Sequence, residues 1–435
     1  MNTNLKNTKT RTLKSRIILT IGVLSLVRLG TYIPVPYMDR QEFLDLLQSE
    51  TSSINTLVNT FSGGGNNSFG LLSLGILPYI NASIIVQLLT TAIPSLAKLQ
   101  KEEGEYGRRK ITEYTRYLTF FWAIVESISL TYGLKNLVLD WSFLTAIQIS
   151  LSLISGSMIV LWFGELITKD GLGNGSSILI CFNIVSSLPN QIKLYILSLQ
   201  GQENRLISVL LFAGIFLITT VGCIYMNEGI IKIPLVSSRQ FLSKNTRNKR
   251  KSNNATLPFR LNQAGVMPLV FTSYAISTLS ILANSFKTTI RSPEFFKNIL
   301  FFNDITLYWG GKFLFWGIYS GLIFFFTYFY STIVLNPTEI AEQLQKNSVV
   351  ILGITPGNAT KSYLKKTLNN IASINAIFLI SNIIGLQIIE SVFHLNIMGL
   401  RGLGFTSQLI LVNVLIDTLR RIRSFLNEDE NNMIN

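Results

Sequence analysis

From Ile17 to Asp417 the chain returns again and again to stretches of about 20 residues with few or no charges, the length a helix needs to cross roughly 30 Å of hydrocarbon. About ten runs can be drawn, at 17–33, 71–93, 117–138, 144–167, 176–199, 207–225, 264–282, 314–335, 368–388 and 405–419. Lipid cannot satisfy a free backbone amide, and barrel strands would alternate over about 10 residues, so such runs must be helices. The fold class is therefore an all-α polytopic membrane protein. Charge agrees, because 14% of the residues are charged, against about a quarter in soluble domains.

Basic residues set the orientation. With the N-terminus on the cytoplasmic or stromal side and ten alternating helices, 27 of the 37 Lys and Arg fall inside, 9 fall outside and Arg28 lies in the membrane. That is the positive-inside pattern. The first apolar run follows Lys6, Lys9, Arg11, Lys14 and Arg16 as a signal peptide would. It contains Arg28 and runs into Pro34 and Pro36 without a small-residue cleavage site, so it reads as a retained first helix.

The runs fall into two halves of five, the second opening near 205, one helix ahead of a polar, basic loop. An odd number per half makes the halves inverted repeats, an arrangement that can place a pathway at the membrane midplane. The organisation expected is an N-terminal segment at 1–16, helices from 17 to 226 with the second half opening near 205, a basic loop at 227–261, the remaining helices at 262–423 and a tail at 424–435.

Three segments depart from plain spans. The stretch FSGGGNNSFGLLSLG (61–75), with Phe61, Ser62, Gly63, Gly64, Ser68, Phe69 and Gly70, is too rich in Gly, Ser and Asn to hold a rigid helix. It suits a movable element folded back into a cavity, though its composition equally fits a flexible outer loop. The next run carries Asn81, Ser83 and Gln87, polar side chains that in a span pair with neighbouring helices or face water. Finally, the loop 232–260 carries Arg239, Lys244, Arg247, Lys249, Arg250, Lys251 and Arg260 against no acid. Topology alone explains such a charge, and so does attraction to anionic lipid, acidic protein or RNA phosphate. The mixed-charge stretch 96–116 reads as a solvated helical extension.

Catalytic patterns are missing from the sequence: there is no Ser/His/Asp set, no metal-ligand cluster, and GLGNG (171–175) lacks the Lys-Ser/Thr continuation of a phosphate loop. Cys181, Cys223 and the single His394 read as buried thiols and a lone imidazole, so neither a metal nor another cofactor is expected. The chain reads as a non-enzyme. The main rival to a channel is a polytopic secondary transporter of small solutes, which would cluster ionisable groups at mid-membrane. Arg28, Glu126, Glu165, Glu390 and Asp417 form no clear cluster.

An ordered set of segments resembles the SecY family: RLGTYIPVP (28–36), FSGG followed by LGILPYINASIIVQLL (within 61–89), LQKEEGEYGRRKITEYTRYLT (99–119), WFGELITKDGLGNGSSILI (162–180), LPFRLNQAGVMPLVF (257–271), NPTEIAEQLQK (336–346) and GITPGNATKSYL (353–364). The resemblance implies an hourglass channel for unfolded preproteins, with a plug at 61–75 and an apolar ring of Ile80, Ile84, Ile180, Val270 and Ile410. It implies a lateral gate between the second and seventh helices, with Asn81, Ser83, Gln87, Ser273 and Ser277 as its polar contacts. It also implies docking of a motor ATPase or ribosome on Arg239, Arg247, Lys249, Arg250, Lys251, Arg260 and the turn at Thr355. The family usually has arginine at that turn, so Thr355 is a departure. The implied partners are SecE, the SecA motor, the ribosome, preproteins and membrane lipid, with a SecG-like subunit left open and no direct DNA binding. A bias towards Asn, Ile, Lys and Phe, without a targeting segment, favours a plastid-encoded thylakoid protein over a bacterial plasma-membrane one.

Overall fold

A computed structural model describes residues 13–37, 70–198 except 103, 134, 136 and 137, 205–237, 256–276 except 274, 309–392 and 405–434. The helices are α1 (Leu13–Thr31), α2 (Leu77–Ala92), α3 (Pro94–Glu102), α4 (Gly104–Gly133), α5 (Phe143–Asp170), α6 (Gly175–Ser198), α7 (Arg205–Glu228), α8 (Trp309–Val334), α9 (Pro337–Lys346), α10 (Asn358–Val392) and α11 (Phe405–Ile434). Residues 267–273 are also helical. Every expected run meets helix where it is described, except at some ends: 71–76 form turns, and 32–33, 93, 264–266 and 335, among others, also lie outside helix. Four helices among the described residues are long and apolar enough to cross a membrane, at Phe143–Asp170, Ser208–Glu228, Trp316–Lys346 and Asn358–Gly385.

Local chemistry marks the boundaries. Ser142 caps α5 by accepting from the Thr145 amide at 3.2 Å, while Thr145 Oγ1 accepts from the Ser142 amide at 2.9 Å, a reciprocal box that satisfies two otherwise orphaned donors. Asn336 caps α9 by accepting from the Thr338 amide at 3.1 Å, with Pro337 in the first turn. Between α3 and α4 the chain turns at Gly104, whose φ of +57° is open to glycine. The start of α4 is the solvated extension expected, exposed and carrying an Arg109–Glu105 pair at 3.8 Å.

The chain divides into two compact units, residues 1–205 with 396–435, and 206–395. In the first, α2 packs on α4, α4 on α5, α5 on α6 and α1, and α6 on α11. Its buried centre joins Val35, Leu74, Ala123, Val138, Ile149 and Leu153. The final helix belongs here because its Thr418 and Arg421 lie over Gly173, just before α6, and Phe425 lies 4.7 Å from the Arg16 guanidinium of α1.

In the second unit α8 and α9 pack on α10. A small sheet adds to the expected helices, with order β2-β1-β3 for β1 (Ile230–Ser237), β2 (Thr256–Arg260) and β3 (Val349–Ile351). Both partners run antiparallel to β1, β2 pairing at 230–234 and β3 at 235–237. Two prolines lie in these strands where no ladder N–H is required. Lys232↔Pro258 and Pro234↔Thr256 are pairs of one parity, and Pro234 turns its carbonyl the other way, to accept from Leu352 N–H at 3.4 Å. Pro258 thereby blunts the outer edge of β2 against further strand pairing. One face of the sheet buries Ile233, Leu235 and Phe259 against Ala341, Ile351, Leu364, Leu368 and Ile371.

Candidate pore and docking elements

The described ring residues share a position in their elements. Ile80 lies in the first turn of α2 with Ile84 one turn on, Ile180 and Ile410 lie in the second turns of α6 and α11, and Val270 lies in the first turn of 267–273. Ile80, Ile410 and Val270 are 6%, 6% and 7% exposed, and Ile84 and Ile180 are half-buried. Proline or glycine stands just before or inside three of these helix starts, at Pro78, Gly175 and Pro268. Pro78 falls where a missing N–H costs nothing, and Gly175 falls where no Cβ fits, since one would stand 1.8 Å from the Gly164 carbonyl oxygen.

How α2 is held was not visible in the sequence. Residues 70–76 thread between α1 and α5 through three glycines. A Cβ on Gly70 would lie 2.1 Å from the Thr31 carbonyl oxygen, one on Gly156 2.0 Å from that of Leu71, and one on Gly30 2.3 Å from Leu72 Cδ1. The Leu71 amide donates to Ile33 at 2.8 Å, Gly70 bridges Pro34, and the Ser73 hydroxyl donates to the Gly70 carbonyl. Of the plug segment 61–75, residues 70–75 are described, and Gly70 is anchored. Phe61, Ser62, Gly63, Gly64, Ser68 and Phe69 lie outside the described residues.

Three of the polar side chains assigned to a lateral gate are engaged inside their own units. Asn81 donates to Glu126 on α4 at 2.5 Å. Ser83 and Ser273 bond back to the carbonyls of Ile80 and Leu269, both at 2.9 Å, the usual way a hydroxyl satisfies itself within a span. Ser273 also engages the Tyr319 hydroxyl. Gln87 is half-buried on α2, and Ser277 lies outside the described residues.

Several ionisable groups near the spans have partners among the described residues. Arg116 on α4 grips Glu165 on α5 with two bonds of 2.6 and 2.7 Å, the fork geometry of guanidinium on carboxylate. Asp417 lies 3.8 Å from Arg420, and Arg28 lies 5.2 Å from the Tyr32 ring. No group of three or more His, Cys, Asp or Glu placed to hold a metal occurs among the described residues.

For docking, the sheet joins two loops that are distant in sequence. Arg260 ends β2, exposed, and Thr355 is exposed in the turn after β3, its carbonyl accepting from the Thr360 hydroxyl at 2.9 Å. That turn bends at Gly353 and Gly357, with φ of +83° and +97°. Arg239, Arg247, Lys249, Arg250 and Lys251 lie outside the described residues.

The SecY family model matches residues 70–419. This chain belongs to the SecY family. It is 63% identical over 434 residues to a protein translocase subunit SecY of Vaucheria litorea, covering 99% of this chain and 100% of that one. It is 42% identical to those of Guillardia theta, at 98% of both chains, and of Synechocystis, at 95% of this chain and 92% of that one. Among solved structures, a protein-conducting channel superposes with a TM-score of 0.63 at 16% identity, covering 98% of this chain and 97% of the other. Sec61 in the canine ribosome–channel complex from the endoplasmic reticulum gives 0.56 at 16%, with the same coverage. These last two show the SecY-type fold, and the sequence relatives carry the family.

Proposed function

We propose that this SecY-family chain is the pore-forming subunit of a protein translocase, passing unfolded preproteins across a membrane and releasing apolar segments sideways into lipid. The observation that carries this reading is full-length identity of 63% to a protein translocase subunit SecY. The chemistry is consistent with it: aliphatic side chains at a waist exclude ions by dewetting yet yield to any passing sequence, because they offer no charge and no directed hydrogen bond. In this reading Ile80, Ile84, Ile180, Val270 and Ile410 form the ring and 61–75 is the plug, with Gly70 as an anchored residue within it. A small-solute transporter is disfavoured because Glu126, Glu165 and Asp417 are each engaged by a neighbour in the fold.

Partners follow the same reading. A SecE subunit clamps the two halves, and a SecA motor or the ribosome docks on the basic loop and the Thr355 turn. The thylakoid membrane is the location proposed, on the sequence bias towards Asn, Ile, Lys and Phe and the likeness to algal and cyanobacterial proteins. The test is reconstitution with SecE and the motor in vesicles. Protease-protected preprotein that appears with ATP supports the reading, and solute uptake without preprotein protection sinks it.

A further inference from the structure

We propose that Asn227, Asn262 and Asn375 form a register lock that fixes how the β1–β2 hairpin is seated on α10, and so how Arg260 at the end of β2 is offered to a docking partner. The second clause rests on the docking reading above, and the first does not.

One stripe of α10 carries the argument. Leu364, Leu368, Ile371 and Asn375 follow one another at spacings of four, three and four and are each at most 2% exposed, so they share one face of the helix. The first three hold Ile233, Leu235 and Phe259 of the hairpin. The fourth is an amide where another aliphatic residue would have continued the seam. Asn375 Nδ2 donates to Asn262 Oδ1 at 3.0 Å, and Asn262 Nδ2 donates to Asn227 Oδ1 at 2.7 Å, with all three side chains buried. Asn227 lies in the last turn of α7 and Asn262 just beyond β2, so the relay ties both feet of the hairpin to α10. The Leu261 amide, donating to the Gly229 carbonyl at 2.9 Å, closes the same base.

A seam of leucine and isoleucine is tolerant of slippage, because one aliphatic knob replaces another at little loss. Directed amide bonds at fixed distances are not. Stability gives no reason to place them there, since burying a polar atom costs free energy and Asn375 Oδ1 is buried without a hydrogen-bond partner among the described residues. Fixing register is the best-attested use of a buried polar residue in an apolar seam. The hairpin needs that use, because its proline-blunted outer edge and short ladder leave its height on α10 otherwise set by interchangeable side chains.

The experiment uses the full complex with Asn227→Leu/Asn262→Leu/Asn375→Leu, which removes every polar member together, beside Arg239→Ala and Arg260→Ala. Amide hydrogen exchange of 230–237 and 256–260 reports the lock, and affinity for the motor ATPase at two salt concentrations reports docking. The lock predicts unchanged or raised melting of the triple variant, exchange in both strands faster by about tenfold, and weaker motor binding with the salt dependence unaltered. The arginine variants lose affinity and salt dependence with exchange unaltered. Unchanged exchange in the triple variant overturns the lock whatever the arginine variants do. Faster exchange with full motor affinity, where the arginine variants do weaken binding, overturns the positioning role. Loss of affinity in neither set, with faster exchange, sinks the docking reading and its clause here while leaving the lock supported. If the triple variant fails to accumulate, Asn375→Leu alone is measured in the same way, and unchanged exchange again overturns the lock.

Discussion

Gly156 sits in the middle of α5, where helix propensity alone would make Gly→Ala a gain of about 0.5–1 kcal/mol. The structure reverses the sign. An added Cβ would stand 2.0 Å from the Leu71 carbonyl oxygen, 2.9 Å from its carbon and 3.1 Å from Leu71 Cδ2. Relief requires backbone to move by more than an ångström, and that backbone is pinned by the Leu71 amide on Ile33 and by Gly70 against Thr31. Overpacking costs about 1–3 kcal/mol, and a backbone obstacle belongs at the upper end. After the propensity gain the net is a loss of about 2 kcal/mol, roughly 30-fold in the folding equilibrium. Gly22 and Gly214, on α1 and α7, have open space within 4 Å of where a methyl group would stand, and their alanine variants should be neutral or slightly stabilised. Thermal unfolding of the purified variants side by side is the assay. Melting of Gly156→Ala at or above the temperature of Gly214→Ala would refute the close approach. Residues 70–76 lead directly into α2 and Ile80, so the same variant should also raise resting ion conductance in reconstituted channels.

Asn81→Leu should cost more stability than Glu126→Gln, because it strands a half-buried carboxyl rather than replacing it with an amide; equal melting temperatures would argue against the pair. Arg116→Ala should cost about 1 kcal/mol or less, since Arg116 is 51% and Glu165 31% exposed, and Arg116→Lys should restore only part by losing the fork. Ile80→Asn, Ile180→Asn and Ile410→Asn should each wet the waist and raise resting ion leak, and an unchanged leak in all three would remove the ring assignment. Thr355→Arg should tighten motor binding by adding a fork of donors to an exposed turn, which affinity at low salt would show; no change would leave the turn without a docking role.

Period and length made the spans legible. Runs such as 144–167, whose one charge is Glu165 near its end, and 207–225, which has none, recur as α5 and α7 within a few residues. Residues 71–76 look like the start of a span because Leu71, Leu72, Leu74 and Ile76 are apolar, yet they form turns buried as a packed crossing rather than as helix. No local signal announces such a crossing: Gly30, Gly70 and Gly156 are far apart in sequence and look like ordinary glycines until their neighbours are known. The sheet left a trace that charge obscured. Ile231, Ile233 and Leu235 alternate with Lys232 and Pro234, a strand pattern inside a stretch whose basic residues draw the reading towards a loop. Asn81 stands out in the sequence as a polar residue needing a partner, but its partner is Glu126, 45 positions on, and pairing over that distance is a property of the fold.

The central claim is that a polypeptide passes the ring, and a stalled translocation intermediate tests it most directly. A photocrosslinking residue is placed at Ile80 or Ile410, and as controls at Leu217 or Ile218, which are 64% and 74% exposed on an apolar helix. The account predicts capture of the stalled chain from Ile80 and Ile410, dependent on the motor or ribosome, with only lipid captured from Leu217 and Ile218. Capture that is equal at all four positions, or absent from both ring positions while preprotein still crosses, would contradict it.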